Sequence, residues 1–237
     1  MLNNSLPLYK QIANKIKEDI IAASMNKGDA IPSELKLSKM YDVSRVTIRQ
    51  AIKLLINEGL LYSVQGSGTY IGHERIDHNI LQLQGFTEEM DNLQHDSKNE
   101  VLEFQLMTAP DEVRKILELE KEAKVYYIKR LRQADNEPLL VEESYLPSKL
   151  FPDLSINVME KSKYQYIEQK GFQIDKRYGE LIPILPTSEL KSLLQLTEDT
   201  PLLYLKAFTT FKNGQRFEFS NVYYHPQKYN FKFISSK

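Results

Sequence analysis

The stretch Ile31–Gly72, IPSELKLSKMYDVSRVTIRQAIKLLINEGLLYSVQGSGTYIG, restricts the fold of this chain more than any other. It spells two short helices joined by a tight turn and followed by a β-hairpin. The first helix starts at Ser33, after Pro32, and presents Leu37, Met40 and Tyr41 at helical spacing. Tyr41-Asp42-Val43-Ser44 has the length of the turn in a helix-turn-helix. Ser44 is placed to cap the second helix, because a serine oxygen accepts from the free N–H groups of a first turn. Ile48, Ala51, Ile52 and Leu55 recur on one buried face, and Arg45, Arg49 and Lys53 follow every fourth residue along another flank. Gly59 ends this helix, since a residue without Cβ turns left-handed cheaply. Leu60–Ser63 and Thr69–Ile71 read as strands around Val64-Gln65-Gly66-Ser67-Gly68. That hairpin is a wing whose glycines let backbone approach DNA closely, with Gly66 at its tip. A capped helix with a basic flank suits a major groove, which admits one helix between walls of phosphate. The competing reading, a small helical domain whose basic residues merely face water, leaves the coincidence of turn, cap and glycine hairpin unaccounted for.

Charge supports the division implied by that stretch. Residues 1–72 hold nine Lys and Arg against six Asp and Glu, whereas the remainder holds 22 against 26. A basic front and an acidic back fit a DNA-binding module joined to one that does not bind DNA. At 237 residues the chain has room for two modest cores. The absence of cysteine excludes disulfides and thiolate metal sites, and no nucleotide loop or metal-ligand cluster is visible, so no cofactor is expected. Met1–Ser5 has neither a basic start nor an apolar run, and no stretch reaches the length of a membrane span; the expected location is cytoplasmic.

Pro7–Ala23 predicts a further helix, with Leu8, Ile12, Ile16 and Ile20 on one side, packed under the helix-turn-helix. Asn26-Lys27-Gly28-Asp29 is a turn signal. Residues 73–79 are short, polar and charged and read as an interdomain linker, with His73 and His78 at the surface. The domain expectation is 1–72, linker 73–79, and 80–237.

Beyond Ile80 the pattern becomes mixed. Helical runs occur at Thr87–Asn92, Asp111–Leu119, Lys163–Lys170 and Thr187–Leu196. Strand-like runs occur at Val101–Met107, Lys124–Gln133, Leu139–Leu146, Ile174–Ile184, Leu202–Phe211 and Arg216–Tyr224. The fold class is therefore α+β, with an antiparallel sheet carrying helices on its faces. This region also contains itself twice. DEVRKILELEKEAKVYYIKRLRQADNEPLLVEESYLP matches TSELKSLLQLTEDTPLLYLKAFTTFKNGQRFEFSNVYYHP, aligning Tyr127 with Tyr204, Lys129 with Lys206, Asn136 with Asn213, and Glu142 and Ser144 with Glu218 and Ser220. Two such halves predict one sheet around a pseudo-twofold, with a cleft touched by both return strands.

The motif string PSE, VSRVTIRQAI, LINEGLLY and QGSGTYI resembles the winged helix-turn-helix of the GntR superfamily of bacterial transcription regulators over Leu6–Gly72. The resemblance implies DNA contacts from Ser33, Glu34, Arg45, Thr47, Arg49 and Gly66, and Lys36 and Ser44 beside them complete the expected DNA-binding set. Two departures stand out: Leu35-Lys36 replaces the arginine common after the SE pair, and Ser67 replaces the basic residue usual between the wing glycines. Gly85–Met90, Arg130–Pro138, Glu142–Pro147 and Glu218–Tyr224 resemble the UTRA effector-binding domain of the HutC-type branch, over about Leu83–Phe233. That resemblance implies a chorismate lyase-like fold, a binding rather than catalytic role, and homodimers that leave DNA when a small molecule binds.

The residues themselves suggest an anion site. Arg130 and Arg132 lie two apart on a strand and leave the same face. Side by side they repel unless an anion lies between them, and their planar forks suit carboxylate or phosphate. Gly85-Phe86-Thr87-Glu88 opens a short helix whose free N–H groups favour the same charge. A hairpin centred on Asn136 places Arg130 opposite Glu142, which reads as the acceptor for effector hydroxyl groups. Glu218 approaches from the second half. Tyr164 and Tyr224 are candidates to cover the ligand, and Ser162 and Tyr164 match family contact positions. The plainer reading makes Arg130–Glu142 a cross-strand ion pair and the tyrosines core residues.

The sequence thus predicts a repressor that binds a palindromic DNA operator as a homodimer and is released by a small acidic metabolite such as a phosphorylated sugar, with no membrane partner. Two alternatives stay open: a small-acid enzyme on the lyase-like fold, and a regulator whose second domain only dimerises. Against the enzyme stand the missing metal cluster, nucleophile elbow and nucleotide loop, and four scattered histidines.

Overall fold

A computed structural model describes residues 6–26, 28–64, 66–72 and 75–235 of the chain. Met1–Ser5, Lys27 of the expected turn, Gln65 of the wing and His73 of the expected linker lie outside these residues. The chain divides between Asp77 and His78 into two compact units.

The first unit contains α1 (Leu8–Ala22), α2 (Glu34–Tyr41) and α3 (Arg45–Asn57), followed by the hairpin of β1 (Leu61–Val64) and β2 (Gly68–Ile71). The expected cap forms, with Ser44 Oγ accepting from the Thr47 amide at 3.1 Å, and Ser33 Oγ likewise accepts from the Lys36 amide at 3.4 Å. Asp42, left-handed at φ +51°, closes α2 and turns the chain into α3. Gly59 follows α3 at φ +81°, a conformation any side chain would strain. Ile12, Ile16 and Ile20 of α1 meet Leu37 of α2, Ile48, Ala51, Ile52 and Leu55 of α3, and Leu61 and Ile71 of the hairpin in one apolar cluster. Leu8 and Met40, expected on buried faces, are exposed. Leu8 stands at the first residue of α1, and α2 is short enough that Leu37 alone on it is fully buried.

The boundary falls within β3 (Ile76–Asn79), and the second unit continues through α4 (Phe86–Asn92), β4 (Ser97–Thr108), α5 (Asp111–Ile116), β5 (Lys124–Ala134), β6 (Glu137–Pro147), α6 (Ile156–Met159), α7 (Lys163–Gln169), β7 (Ile174–Ile184), α8 (Ser188–Leu193), β8 (Leu202–Phe211), β9 (Arg216–Tyr224) and β10 (Tyr229–Lys232). Six of these strands form one antiparallel sheet in the order β4-β5-β6-β9-β8-β7. The duplicated halves therefore supply two adjacent strands each, β5–β6 and β8–β9, and meet where β6 pairs with β9, with β4 and β7 at the two edges. Ser144 and Ser220, aligned in the repeat, stand directly opposite one another at that seam. Asp135 and Asn136 both take positive φ in the two-residue connection between β5 and β6, as a type I′ hairpin requires. The turn pairs Ala134 with Glu137, and a bulge at Arg132/Gln133 shifts the ladder by one residue, which puts Arg130 opposite Glu142 as expected. Ile128, Leu146, Phe151, Met159, Ile167, Phe211 and Phe217 pack between the sheet and α6–α7.

Three short elements were not visible in the sequence: α6, β3 and β10, each four residues long. Part of the expected linker is consequently not loose chain, because Ile76–Asn79 pairs with β10. The surface position expected for His78 is also corrected. His78 is buried, its Nδ1 lies 2.5 Å from Glu89 Oε1, and the rings of Tyr224, Tyr229 and Phe231 surround it. Strand pairing with β10 carries this imidazole inward where composition alone suggested a polar tether. Among the described residues, no helix is long and apolar enough to cross a membrane.

Candidate DNA-reading face and effector cavity

On the first unit the cap of α3 aims the helix start outward. Arg45 and Arg49 project from it with 59% and 66% of their side chains exposed. Neither is unattended. Arg49 donates through Nε and Nη2 to the two carboxylate oxygens of Glu34 at 3.2 and 2.9 Å, and Arg45 Nη2 lies 3.7 Å from Glu34 Oε2. The hydrogen bond from Arg49 outweighs partial burial and lowers the Glu34 carboxyl below its usual range. Glu34 thus reaches across from α2 and holds both arginines on one outer surface. Ser33 and Ser44 are occupied as helix caps, and Thr47 Oγ1 lies 2.9 Å from Ser44 Oγ, so these three shape the helix starts. Lys36 is exposed on α2. Gly66 sits at the wing tip at φ +77° with open space on its Cβ side, which leaves its backbone accessible to a phosphate.

In the second unit, a side-chain cluster forms over the seam of the two halves. Arg130 is wholly buried; its Nε and Nη2 donate to Glu142 Oε2, and its Nη1 donates to the Met159 carbonyl at 2.9 Å. Arg132 donates to the same Glu142 oxygen through Nε and Nη2, at 3.1 and 2.5 Å. The anion expected between the two guanidinium groups is therefore Glu142 itself. Lys163, absent from the sequence-based site, bridges the halves: its ammonium donates to Glu142 Oε1 at 2.7 Å, to Ser144 Oγ at 3.1 Å and to Glu218 Oε1. Glu218 Oε2 accepts from Tyr164 and Thr209, each at 3.3 Å. Burial would raise the Glu142 carboxyl, but Arg130, Arg132 and Lys163 hold it well below the usual carboxylate range. Burial pushes the Tyr164 phenol up and takes Tyr224 to about 12, so both are neutral hydrogen-bond groups at physiological pH.

A cavity of about 50 Å³ opens beside this cluster. By comparison with the space one buried water needs, it has room for about four waters, or one small anionic group. Of the expected residues, Phe86, Arg132, Glu142, Ser162, Tyr164 and Tyr224 line it, as do His78, Glu89, Lys163 and Arg177, which the sequence did not single out. Arg132 carries its guanidinium 5.1 Å over the Phe86 ring, which orients both. Arg130 and Glu218 stand behind the wall rather than in it. Thr87 and Glu88 line a wider adjoining depression of about 510 Å³, with Asp91, Glu168 and Asp175; the two spaces share Ser162 and Tyr164. Both carboxylate oxygens of Glu142 are already engaged, Oε2 by the two arginines and Oε1 by Lys163. Lys163 had a signal in the sequence, since it lies between Ser162 and Tyr164 at the start of α7. His78 and Arg177 had none, because only strand pairing brings them to the cavity.

Comparison with known proteins fits this geometry. The profile described as "Bacterial regulatory proteins, gntR family" matches residues 8–71, and that of the UTRA domain matches 92–230. The mannosyl-D-glycerate transport/metabolism system repressor MngR of Escherichia coli strain K12 is 38% identical over 232 residues, covering 98% of this chain and 97% of its own. The HTH-type transcriptional repressor NagR of Bacillus subtilis strain 168 is 30% identical over 227 residues, covering 95% and 93%. Among solved structures, PhnF from Mycobacterium smegmatis superposes with a TM-score of 0.74 at 20% identity, over 95% of this chain and all of that one, which shows the shared fold. With its capped basic helix, glycine wing and duplicated sheet, the chain belongs to the GntR family of bacterial regulatory proteins, in the HutC-type branch that carries a UTRA domain, and is a DNA-binding transcription regulator rather than an enzyme.

Proposed function

We propose that this regulator is a repressor which binds a palindromic operator as a homodimer and is released by a small acidic metabolite held in the UTRA cavity. In this reading residues 1–72 form the DNA-reading domain, 73–79 the connection, and 80–237 the effector-binding and dimerisation domain, all working in the cytoplasm. The observation that carries the reading is the excess of cations at the cavity. Arg130, Arg132, Lys163 and Arg177 stand against three carboxylates, Glu142, Glu218 and Glu89, the last within hydrogen-bond distance of His78. Uncompensated buried charge is costly, so an incoming anion is favoured there. MngR is named for a system that handles mannosyl-D-glycerate, a sugar joined to a carboxylic acid, which supports a hydroxylated acid as the effector class. A sugar phosphate belongs to the same class.

At the DNA, Arg45, Thr47 and Arg49 enter the major groove from α3 while the Gly66 backbone meets phosphate. Ser33 and Ser44 hold the helix starts, Lys36 adds a phosphate contact, and Glu34 presents the arginines. At the effector, Phe86, Arg132, Ser162, Tyr164 and Tyr224 contact the ligand. Arg130, Glu142 and Glu218 brace them, and Thr87 and Glu88 border the outer depression. Release requires that the effector bind one arrangement of the DNA-reading heads better than another.

Fluorescence anisotropy with an operator selected from genomic fragments tests this. Millimolar glucose 6-phosphate or mannosyl-D-glycerate is expected to weaken operator binding and raise the melting temperature of the protein; saturation at 100 times Kd adds about 2.7 kcal/mol. Operator binding and melting that ignore both acids would leave the second domain only the dimerisation role.

A further inference from the structure

The inner face of α3 turns Ile48, Ala51, Ile52 and Leu55 into the apolar cluster of the head. At about 3.6 residues per turn, the opposite face carries Arg45, Val46, Arg49, Gln50 and Lys53, all of them exposed. Val46 is the apolar member of that set. It is 65% exposed and stands near the middle of the face, with Arg45 and Arg49 to one side and Gln50 to the other. It also lies in the first turn of the helix, directly after the Ser44 cap and Arg45. When a recognition helix enters the major groove, side chains from that end reach the base edges. A β-branched residue there adds nothing to the core and is a weaker helix former than alanine. A lone exposed valine elsewhere would carry no message, but this one occupies the centre of the surface turned toward DNA.

We propose that Val46 reads the C5 methyl group of a thymine in the operator, next to the base pairs met by Arg45 and Arg49. The thymine methyl is the base-edge group of the major groove that neither donates nor accepts a hydrogen bond, so a hydrocarbon side chain recognises it where arginine or glutamine does not. The neighbours of Val46 have polar partners. Arg45 and Arg49 lie against Glu34, and Thr47 Oγ1 is 2.9 Å from Ser44 Oγ. Side chains three or four residues apart on a helix stand about 5–6 Å apart, while successive bases of one strand rise about 3.4 Å. The thymine therefore lies within about two base steps of the pair met by Arg49. Cytosine at that position would set Val46 against an amino group and leave its hydrogen bond unmade.

The inference rests on the entry of α3 into the major groove proposed above, and the test separates the two. An operator selected from genomic fragments by the full-length protein is remade with each thymine in turn replaced by deoxyuridine, which pairs identically and lacks the methyl group. Anisotropy titrations then compare wild type, Val46→Ala, Thr47→Ser and Arg49→Ala. Wild type is expected to lose about three- to tenfold in affinity on replacement of at least one thymine, the effect of one apolar methyl contact. Val46→Ala is expected to bind the natural operator about as weakly as wild type binds that uracil duplex, to ignore the replacement, and to melt as wild type does. Thr47→Ser is expected to keep the sensitivity of wild type. Equal binding of every uracil duplex by wild type overturns the inference, as does a sensitivity that survives Val46→Ala or vanishes in Thr47→Ser. Early melting of Val46→Ala places the valine in the fold and overturns it too. Full affinity in Arg49→Ala would instead remove the groove reading itself, whereas weak binding by Arg49→Ala with indifferent uracil duplexes removes the valine contact alone.

Discussion

The winged head keeps Arg45 and Arg49 in water, held loosely by one carboxylate, whereas the six-stranded sheet buries Arg130 and Arg132 and ties both tightly to another, Glu142. Glu34 touches Arg49 and Arg45 with most of each arginine exposed. Glu142 meets Arg130, Arg132 and Lys163 where almost no solvent reaches. The contrast follows from what each region does with charge. A DNA-reading arginine must leave its protein partner for a phosphate or a base edge, so a weak, solvated ion pair serves to aim it. A receptor that binds a small anion must keep its geometry before the ligand arrives. Its carboxylates and cations are therefore fixed by mutual contact, with Arg130 and Glu218 behind the cavity wall.

Removing Glu142 should break this contrast most visibly. Glu142→Ala strands two guanidinium groups and an ammonium in the interior, and the loss of one partner of a buried ion pair costs about 3–5 kcal/mol. Scanning calorimetry of the full chain should show the UTRA unit melting far earlier with the head preserved; a shift too small to resolve would mean water relieves the cluster. Acid is a gentler form of the same break. The Glu142 carboxyl is held below its usual range in the fold, so its stabilisation is complete above the unfolded value of about 4.3 and disappears as pH falls through the lower folded value. The second unit should therefore lose stability below that point. The head should lose little, because the lowered carboxyl of Glu34 sits close to solvent.

The head is expected to fail in the opposite way. Arg49→Ala should leave melting unchanged and weaken operator binding about tenfold or more in anisotropy titrations, if Arg49 contacts a base edge. A loss of melting temperature instead would place Arg49 in the fold. Glu34→Gln should have the smallest effect. It frees Arg45 and Arg49 from a partner that competes with phosphate, so thermal stability should hold and the salt dependence of DNA binding should change only slightly. A large loss of affinity there would show that Glu34 does more than aim its two partners.

Legibility in the sequence followed the range of the interactions. The cap at Ser44, the turn at Asp42 and the apolar face of α3 are local, so spacing along the chain gave them away. The repeat predicted two halves joined in one sheet because Glu142 and Ser144 return as Glu218 and Ser220, and the expected pairing of Arg130 with Glu142 arises from the turn at Asp135-Asn136 together with a bulge at Arg132/Gln133. The candidate site was legible only in part. Arg130 and Arg132 share a face as their spacing requires, yet the anion between them proved to be Glu142 of the neighbouring strand. His78 offered no pattern at all, since the aromatic rings that enclose it come from β9 and β10, far along the chain.

The sequence by itself determined the winged head, the α+β class and the internal duplication, because helix caps, periodicity and turn chemistry act over a few residues. Tertiary structure alone decided which charges are already neutralised and which face the cavity. Lys163 bridges Glu142 and Glu218 only once α7 packs over the seam, and Arg177 faces the cavity only because β7 lies at the sheet edge next to the second half. Electrostatic pairing depends on distance in space and on exclusion of water, and neither can be read from the order of residues.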